Sequence, residues 1–152
     1  MDKNFSAHSD GRVRRAYEIA AAAHRGQVDK SGVAYIKHPL TVAANVGENI
    51  SAVIVALLHD VAEDTSLTVD DLRQKIPLTA AEVHALELLT HEEKISYTEY
   101  IARIKADELA RVVKLADLRH NSDLSRIKNP APNDFARAEK YRAALNILTA
   151  CD

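Results

Sequence analysis

A histidine and three carboxylates follow directly behind an apolar segment of the sequence. The segment "AVIVALL" begins at Ala52, and the adjoining "HDVAED" supplies His59, Asp60, Glu63 and Asp64. Helical spacing puts His59 with Glu63, and Asp60 with Asp64, on adjoining strips of one surface. Because an isolated carboxylate is costly to bury, such a cluster must be solvated, paired or bound to a metal ion.

Metal binding accounts for the histidine most directly. Imidazole together with carboxylate suits first-row divalent ions such as Mn, Fe, Co or Zn, whereas Mg prefers oxygen ligands alone. Two further candidate ligands are His38, in "YIKHPL", and Asp117, which stands among apolar residues in "VVKLADLRHN". Two alternatives stay open at this point, namely a solvated helix end behind the apolar segment and an ion pair between Asp117 and a lysine or arginine.

The elements that position these residues are predicted to be helices. With four glycines and four prolines in 152 residues, the remaining Ala, Leu, Glu, Lys and Arg favour helix over strand. Thr68 and Thr79 are typical N-caps of two later helices, and "NPAPND" interrupts the pattern before a closing helix. We expect an all-α fold, a single-domain bundle of about eight helices over residues 1–152.

The boundaries of the first helices decide where His38 lies. Ser9 or Asp10 is predicted to cap the first helix, and "GQVDKSGVAYIKHP" is predicted to be a loop with a short extended piece. Pro39 suits the first position of the next helix, and Ser51 is the predicted cap of the helix that ends at the acidic cluster. The loop therefore delivers His38 to a helix N-terminus.

Composition excludes several classes of partner. A formal net charge of -2 gives no global electrostatic reason to bind nucleic acid or an anionic membrane. The first residues, "MDKNFSAHSDGRVRR", lack the apolar stretch of a signal peptide, and no apolar run approaches the length of a membrane span, so a cytoplasmic location is expected. The single cysteine, Cys151, has no partner for an internal disulfide.

The order of the candidate ligands resembles a known signature. His38, the pair His59-Asp60 and Asp117 occur as in the metal-binding signature of HD-domain phosphohydrolases, which are all-α metal enzymes. Three longer segments, "AAHRGQVDKSGVAYIKHPLTVA", "ALLHDVAEDT" and "VKLADLRHN", are similar to the hydrolase domain of the Rel/Spo alarmone enzymes and their stand-alone small relatives. The resemblance covers residues 13–127.

This resemblance implies an activity and a set of roles. Members of the family use Mn(II) to activate water that cleaves the 3'-pyrophosphate from ppGpp or pppGpp, and another first-row divalent ion is the alternative here. Glu63 and Asp64 match the acidic pair that orients or deprotonates the water and manages the proton of the leaving group. The implied metal ligands are His38, His59, Asp60 and Asp117.

Four further residues are implied to bind a small-molecule nucleotide. Asn121 follows Asp117 by one helical turn and matches a family residue that contacts the nucleotide, and Lys30 and Ser31 match residues at the nucleotide end. Asp29 stands where the family typically has arginine, which puts guanine specificity in doubt. As a hypothesis, Asp29 accepts from the exocyclic amine of adenine, pointing to ppApp-type substrates; the alternative is a solvated carboxylate.

Two rival functions remain at the level of sequence. One is a general HD-domain phosphatase that releases orthophosphate, and the other is a nucleotide sensor without catalysis. The chain is too short to hold a synthetase domain as well, and its oligomeric state is not predicted. The remaining histidines, including His24 and His120, receive no role, and Tyr35 is either a wall of the pocket or part of the core.

Overall fold

Helices make up nearly all the regular structure of this chain. The computed structural model describes residues 3–151, and the predicted all-α bundle of about eight helices is confirmed over that range. Two short 3₁₀ helices, Phe5–Ala7 and Leu124–Arg126, accompany the α-helices. The α-helices are α1 (Gly11–Ala23), α2 (Lys37–Ala44), α3 (Ile50–Asp64), α4 (Val69–Lys75), α5 (Ala80–Leu89), α6 (Tyr97–Lys105), α7 (Glu108–Asn121) and α8 (Pro132–Thr149).

Helix α3 lies at the centre of the bundle. Every residue from Ala52 to Val61 is buried, and α1, α2, α5 and α7 all pack against this helix. A helix that is apolar on all sides must be enclosed in this way, because any face left in water would lose the free energy of burial. The apolar run therefore fixes the position of the polar residues at its C-terminal end.

Three sequence-based helix boundaries need correction. The N-cap of α3 is Asn49, whose Oδ1 accepts from the Ala52 N–H at 3.0 Å, so the predicted cap Ser51 lies inside the helix. Helix α2 begins two residues before Pro39, which is tolerated because first-turn N–H groups have no intrahelical partner. The segment "DELARVVKLADLRHNSDLSRI" predicts a helix that continues to Ile127, but α7 ends at Asn121.

The loop between α1 and α2 folds back on itself and reaches the far end of the chain. Val28 and Ala34 form an isolated antiparallel bridge, and Gly32 has a φ of 78°, which favours glycine at the turn. The Ser31 hydroxyl donates to the backbone carbonyl of Arg126 at 3.0 Å. The loop is thus joined to the segment that follows α7.

Within the described residues 3–151, no helix is both long enough and apolar enough to span a membrane.

A buried carboxylate ties α1 to α3 and α5. Glu82 is fully buried; it accepts from the Arg12 guanidinium at 2.8 Å, the Ser51 hydroxyl at 2.7 Å and the Thr79 N–H at 2.9 Å. Burial alone would raise the pKa of Glu82, but the bonds from Arg12, Thr79 and Ser51 hold it below its ordinary value. The ionised carboxylate therefore stabilises the fold.

We expect Glu82→Gln to destabilise the protein by about 2 kcal/mol at neutral pH, a value discounted because Arg12 is partly exposed. Since the folded-state pKa is depressed, this contribution is present above the unfolded pKa and is lost as pH falls through the folded one. The difference between wild type and variant should therefore shrink in acid. Urea unfolding across pH measures it, with Glu87→Gln on the exposed face of α5 as control. An equal effect from both variants would contradict the assignment.

Candidate active site

Three helices bring the four predicted metal ligands together. His38 comes from the first turn of α2, His59 and Asp60 from the last turns of α3, and Asp117 from α7. All four side chains are buried, and one ligand atom from each lies within 4.8 Å of the others. Residues separated by up to 79 positions in sequence thus form one compact group.

His59 uses one ring nitrogen for a hydrogen bond and directs the other toward the group of candidate ligands. Its Nδ1 lies 2.6 Å from the carbonyl oxygen of Ala56, and because that oxygen only accepts, Nδ1 carries the proton. Nε2 then offers a lone pair toward the group, 3.2 Å from Asp60 Oδ1 and 3.6 Å from Asp117 Oδ1. Nε2 is buried and finds no hydrogen-bond partner among residues 3–151, as expected for an atom that ligates a metal.

His120 orients the other histidine. The Nδ1 atoms of His38 and His120 lie 2.6 Å apart, and His38 Nε2 lies 2.9 Å from Asp117 Oδ1. Burial, together with the charge on His38 and Arg126, lowers the pKa of His120 to about 4, so His120 is neutral and accepts. Although burial lowers it, hydrogen bonds to Asp117 and Asp60 raise the pKa of His38 to about 9. At neutral pH this pKa leaves protons on both ring nitrogens of His38, so Nδ1 donates to His120 and Nε2 donates to Asp117. A metal ion bound at Nε2 would displace that second proton.

We expect His120→Phe to weaken binding of Mn(II) by about 10- to 100-fold, because the ring of His38 loses the acceptor that fixes its tautomer and orientation. Isothermal titration calorimetry measures the affinity. His84→Phe is the matched control, since His84 is exposed on α5 and its Nε2 lies 3.9 Å from Asp107, which is not a candidate ligand. Unchanged affinity in His120→Phe would remove this role from His120.

Asp117 forms an ion pair with Lys114 and also faces both candidate histidine ligands. Its Oδ2 accepts from Lys114 Nζ at 2.8 Å, and its Oδ1 accepts from Asn121 Nδ2 at 3.0 Å while facing both histidines. Burial alone would raise the pKa of Asp117, but Lys114 and the histidines hold it well below its ordinary value. The ion pair that the sequence left open as an alternative thus exists beside the cluster, and it leaves Oδ1 facing the histidines.

The donor set fits a divalent metal ion. Two imidazole nitrogens and two carboxylates match the ligand preference of first-row ions, and the two negative charges of Asp60 and Asp117 balance a 2+ charge. The bare Nε2 of His59 supports the same conclusion. A buried His/Asp group able to hold a divalent metal is therefore present in the fold.

The acidic pair at the end of α3 lies beside this group. The Tyr35 hydroxyl lies 2.9 Å from both Asp60 Oδ2 and Asp64 Oδ2, and Glu63 Oε2 accepts from the His91 N–H at 2.8 Å. Partial burial raises the pKa of both Glu63 and Asp64, and neighbouring carboxylates add to each shift. A carboxylate with a raised pKa suits proton transfer near neutral pH.

A cavity of about 340 Å³ adjoins the group and contains all four predicted nucleotide contacts. Tyr35 and Asn121 line it and also hydrogen-bond to Asp60 and Asp117, so the cavity opens beside the candidate metal ligands. The predicted contacts in its wall are Asp29, Lys30, Ser31 and Asn121. The remaining lining residues are Val28, Leu124, Arg126, Ile127, Asp134, Arg137 and Tyr141.

Comparison with known proteins shows related domains. No family model matches the chain. It is 32% identical over 148 residues to the probable GTP pyrophosphokinase of Mycobacterium leprae, covering 90% of this chain and 18% of that protein. It is 36% identical over 122 residues to the bifunctional (p)ppGpp synthase/hydrolase SpoT of Escherichia coli K12, covering 72% of this chain and 17% of SpoT. The chain thus spans less than a fifth of these relatives.

A solved structure shares the fold. It is described as a metazoan ortholog of SpoT that hydrolyses ppGpp and acts in starvation responses. The similarity covers 93% of this chain and 85% of that one, with a TM-score of 0.72 and 19% identity.

Proposed function

This chain is a Rel/Spo hydrolase-like domain, and on that premise we propose that it hydrolyses the 3'-pyrophosphate of a purine nucleotide alarmone, of ppGpp or ppApp type. The observation that carries the proposal is the buried four-residue His/Asp group, which lies directly beside the acidic pair Glu63 and Asp64. The names of the relatives, which include a (p)ppGpp synthase/hydrolase, support this substrate class.

We propose Mn(II) as the resident ion, held by His38, His59, Asp60 and Asp117. A divalent ion bound there would lower the pKa of a coordinated water and polarise a phosphoryl oxygen. Any first-row ion of the same charge satisfies the donor chemistry, so metal titration must choose among them.

The protein's own residues supply the remaining chemistry. Asp64 and Glu63 are the proposed proton carriers, one taking the proton of the attacking water and one managing the proton of the leaving group. The Tyr35 hydroxyl holds Asp64 in place relative to Asp60. Since Glu63 is fixed by the His91 N–H, both carboxylates are positioned before a substrate arrives.

The cavity beside the group is the proposed nucleotide site. Lys30 and Ser31 lie on the loop side and Asn121 lies on the α7 side, so a nucleotide would contact both walls. A small-molecule partner suits the size of the cavity. The cytoplasmic location and the absence of nucleic-acid binding stay predictions.

The experiment is metal-supplemented turnover of ppGpp and ppApp side by side, with products separated by anion-exchange chromatography. We expect pyrophosphate together with GDP or ADP. If orthophosphate is released instead, the proposed activity is wrong and the chain acts as a general HD-domain phosphatase. If either nucleotide binds tightly without turnover, the proposed activity is wrong and the chain acts as a nucleotide sensor.

A further inference from the structure

We propose that Arg126 holds the nucleobase by stacking against it, and that Asp29 acts by positioning Arg126 and makes no contact with the base itself. This inference rests on the proposed function, because it takes the cavity next to the His/Asp group to be the nucleotide site. It differs from the hypothesis that Asp29 reads the amine of adenine.

The carboxylate of Asp29 already has partners. Its Oδ1 accepts from the Ser31 N–H at 2.8 Å and from the Val33 N–H at 3.0 Å, which closes the turn of the α1–α2 loop. Its Oδ2 lies 3.5 Å from Arg126 Nη2. Both oxygens are therefore committed to the protein, and a base amine would have to displace one of these contacts.

The guanidinium of Arg126 is held along its N–H edge. Nη1 donates to the carbonyl of His120 at 2.9 Å, and Nη2 faces Asp29. The backbone of Arg126 is fixed as well, since its carbonyl accepts from the Ser31 hydroxyl at 3.0 Å. A phosphate requires that N–H edge, whereas a flat ring requires only the face of the guanidinium, which these two contacts do not use.

The position of Arg126 in the cavity wall also suits contact with a nucleobase. Its side chain is about one-third exposed, at 31%, and lines the cavity together with Asn121, whose amide reaches Asp117. A nucleotide whose phosphates approach the His/Asp group would therefore extend its base along this wall.

Arg137 is the rival cation of the cavity. It pairs with Asp134 on α8, but it has no contact with the α1–α2 loop among the bonds of the described residues 3–151. Arg126 instead joins the loop, the end of α7 and the cavity in one connected set of contacts.

Stacking on a guanidinium does not distinguish guanine from adenine, because every base offers a π-face. Stacking on Arg126 therefore contributes to the affinity for purines, and Asp29 takes no part in the choice between guanine and adenine. Loss of Arg126 should weaken both nucleotides by a similar factor.

Four variants test the proposal through KM and kcat for ppGpp and ppApp. Arg126→Lys keeps the charge and removes the planar group, so KM should rise about tenfold for both substrates while kcat stays within about twofold. Asp29→Asn keeps the Oδ1 acceptor of the turn and removes the charge facing Arg126, so KM should rise by a smaller and equal factor for both. Arg137→Lys tests the rival, and Arg142→Lys, exposed on α8, is the matched control.

Three results would overturn the proposal. They are a change in the ppGpp to ppApp preference in Asp29→Asn, an unchanged KM in Arg126→Lys, and a larger loss in Arg137→Lys than in Arg126→Lys.

Calorimetric titration of wild type and Arg126→Lys with GDP and with ADP separates this proposal from the proposed function. If the wild type hydrolyses neither alarmone, the proposed function fails, yet weaker binding of both diphosphates to Arg126→Lys would still support the stacking role. If the wild type binds neither diphosphate, the stacking role is wrong as well.

Discussion

Replacing Asp117 with alanine is expected to abolish activity, lowering kcat by about a thousandfold or more, and to leave a protein that binds little metal. Asp117 Oδ1 faces both His38 and His59, so its loss removes the ligand that lies between the two imidazoles. Metal content after dialysis against Mn(II), measured by atomic emission, and turnover of ppGpp measure the two effects. Full activity in Asp117→Ala would refute the metal assignment.

Lys114 complicates this variant in a predictable way. Its ammonium is largely buried against Asp117 Oδ2, and the same ammonium lies 5.2 Å from the centre of the Tyr100 ring. Asp117→Ala alone leaves the charge of Lys114 buried without a partner and should lower the free energy of unfolding by about 3–5 kcal/mol. The double variant Lys114→Met/Asp117→Ala should recover part of the stability without any activity, which separates misfolding from loss of a ligand. Asp70→Ala on exposed α4 is the control.

Neutralising the acidic pair is expected to lower kcat by about 10²- to 10⁴-fold for Asp64→Asn and for Glu63→Gln, while affinity for Mn(II) changes little. Both amides keep the size of the side chain, and in Asp64→Asn the amide oxygen can still accept from the Tyr35 hydroxyl. The proton-carrying function is lost because an amide does not titrate. Steady-state kinetics together with metal titration test this expectation.

The matched control for the acidic pair is Glu92→Gln, an exposed change that should leave both readings unaltered. A raised KM with unchanged kcat in Asp64→Asn would show that the carboxylate binds the substrate and does not carry a proton. A large loss of metal affinity would instead place it among the metal ligands.

The helices and the candidate ligands could be predicted because their signals are local. The apolar run before His59 demands a central helix, and an acid such as Asp117 among apolar residues demands a partner. The cap of α3 was harder to predict, because Ser51 and Asn49 are both good capping residues and stand two positions apart. In the structure Asn49 accepts from the Ala52 N–H, whereas the Ser51 hydroxyl donates to Glu82.

The supporting residues were missed for different reasons. Lys114 and His120 stand three residues before and after Asp117, so helical spacing alone could have placed them on its face. The bond from His120 to His38 joins residues 82 positions apart and follows only from the packing of α7 on α2. Tyr35 could not be assigned because its hydroxyl meets Asp60 and Asp64 only after the loop has folded onto α3.

The origin of the four candidate ligands on three separate helices makes an ion in this group a cross-link between the two halves of the chain. Unfolding would have to release that ion, so the apparent stability of the protein becomes a function of free metal concentration. At a concentration about a hundredfold above the dissociation constant, this linkage adds about 2.7 kcal/mol. Scarcity of metal would then shorten the lifetime of the folded protein as well as halt its chemistry.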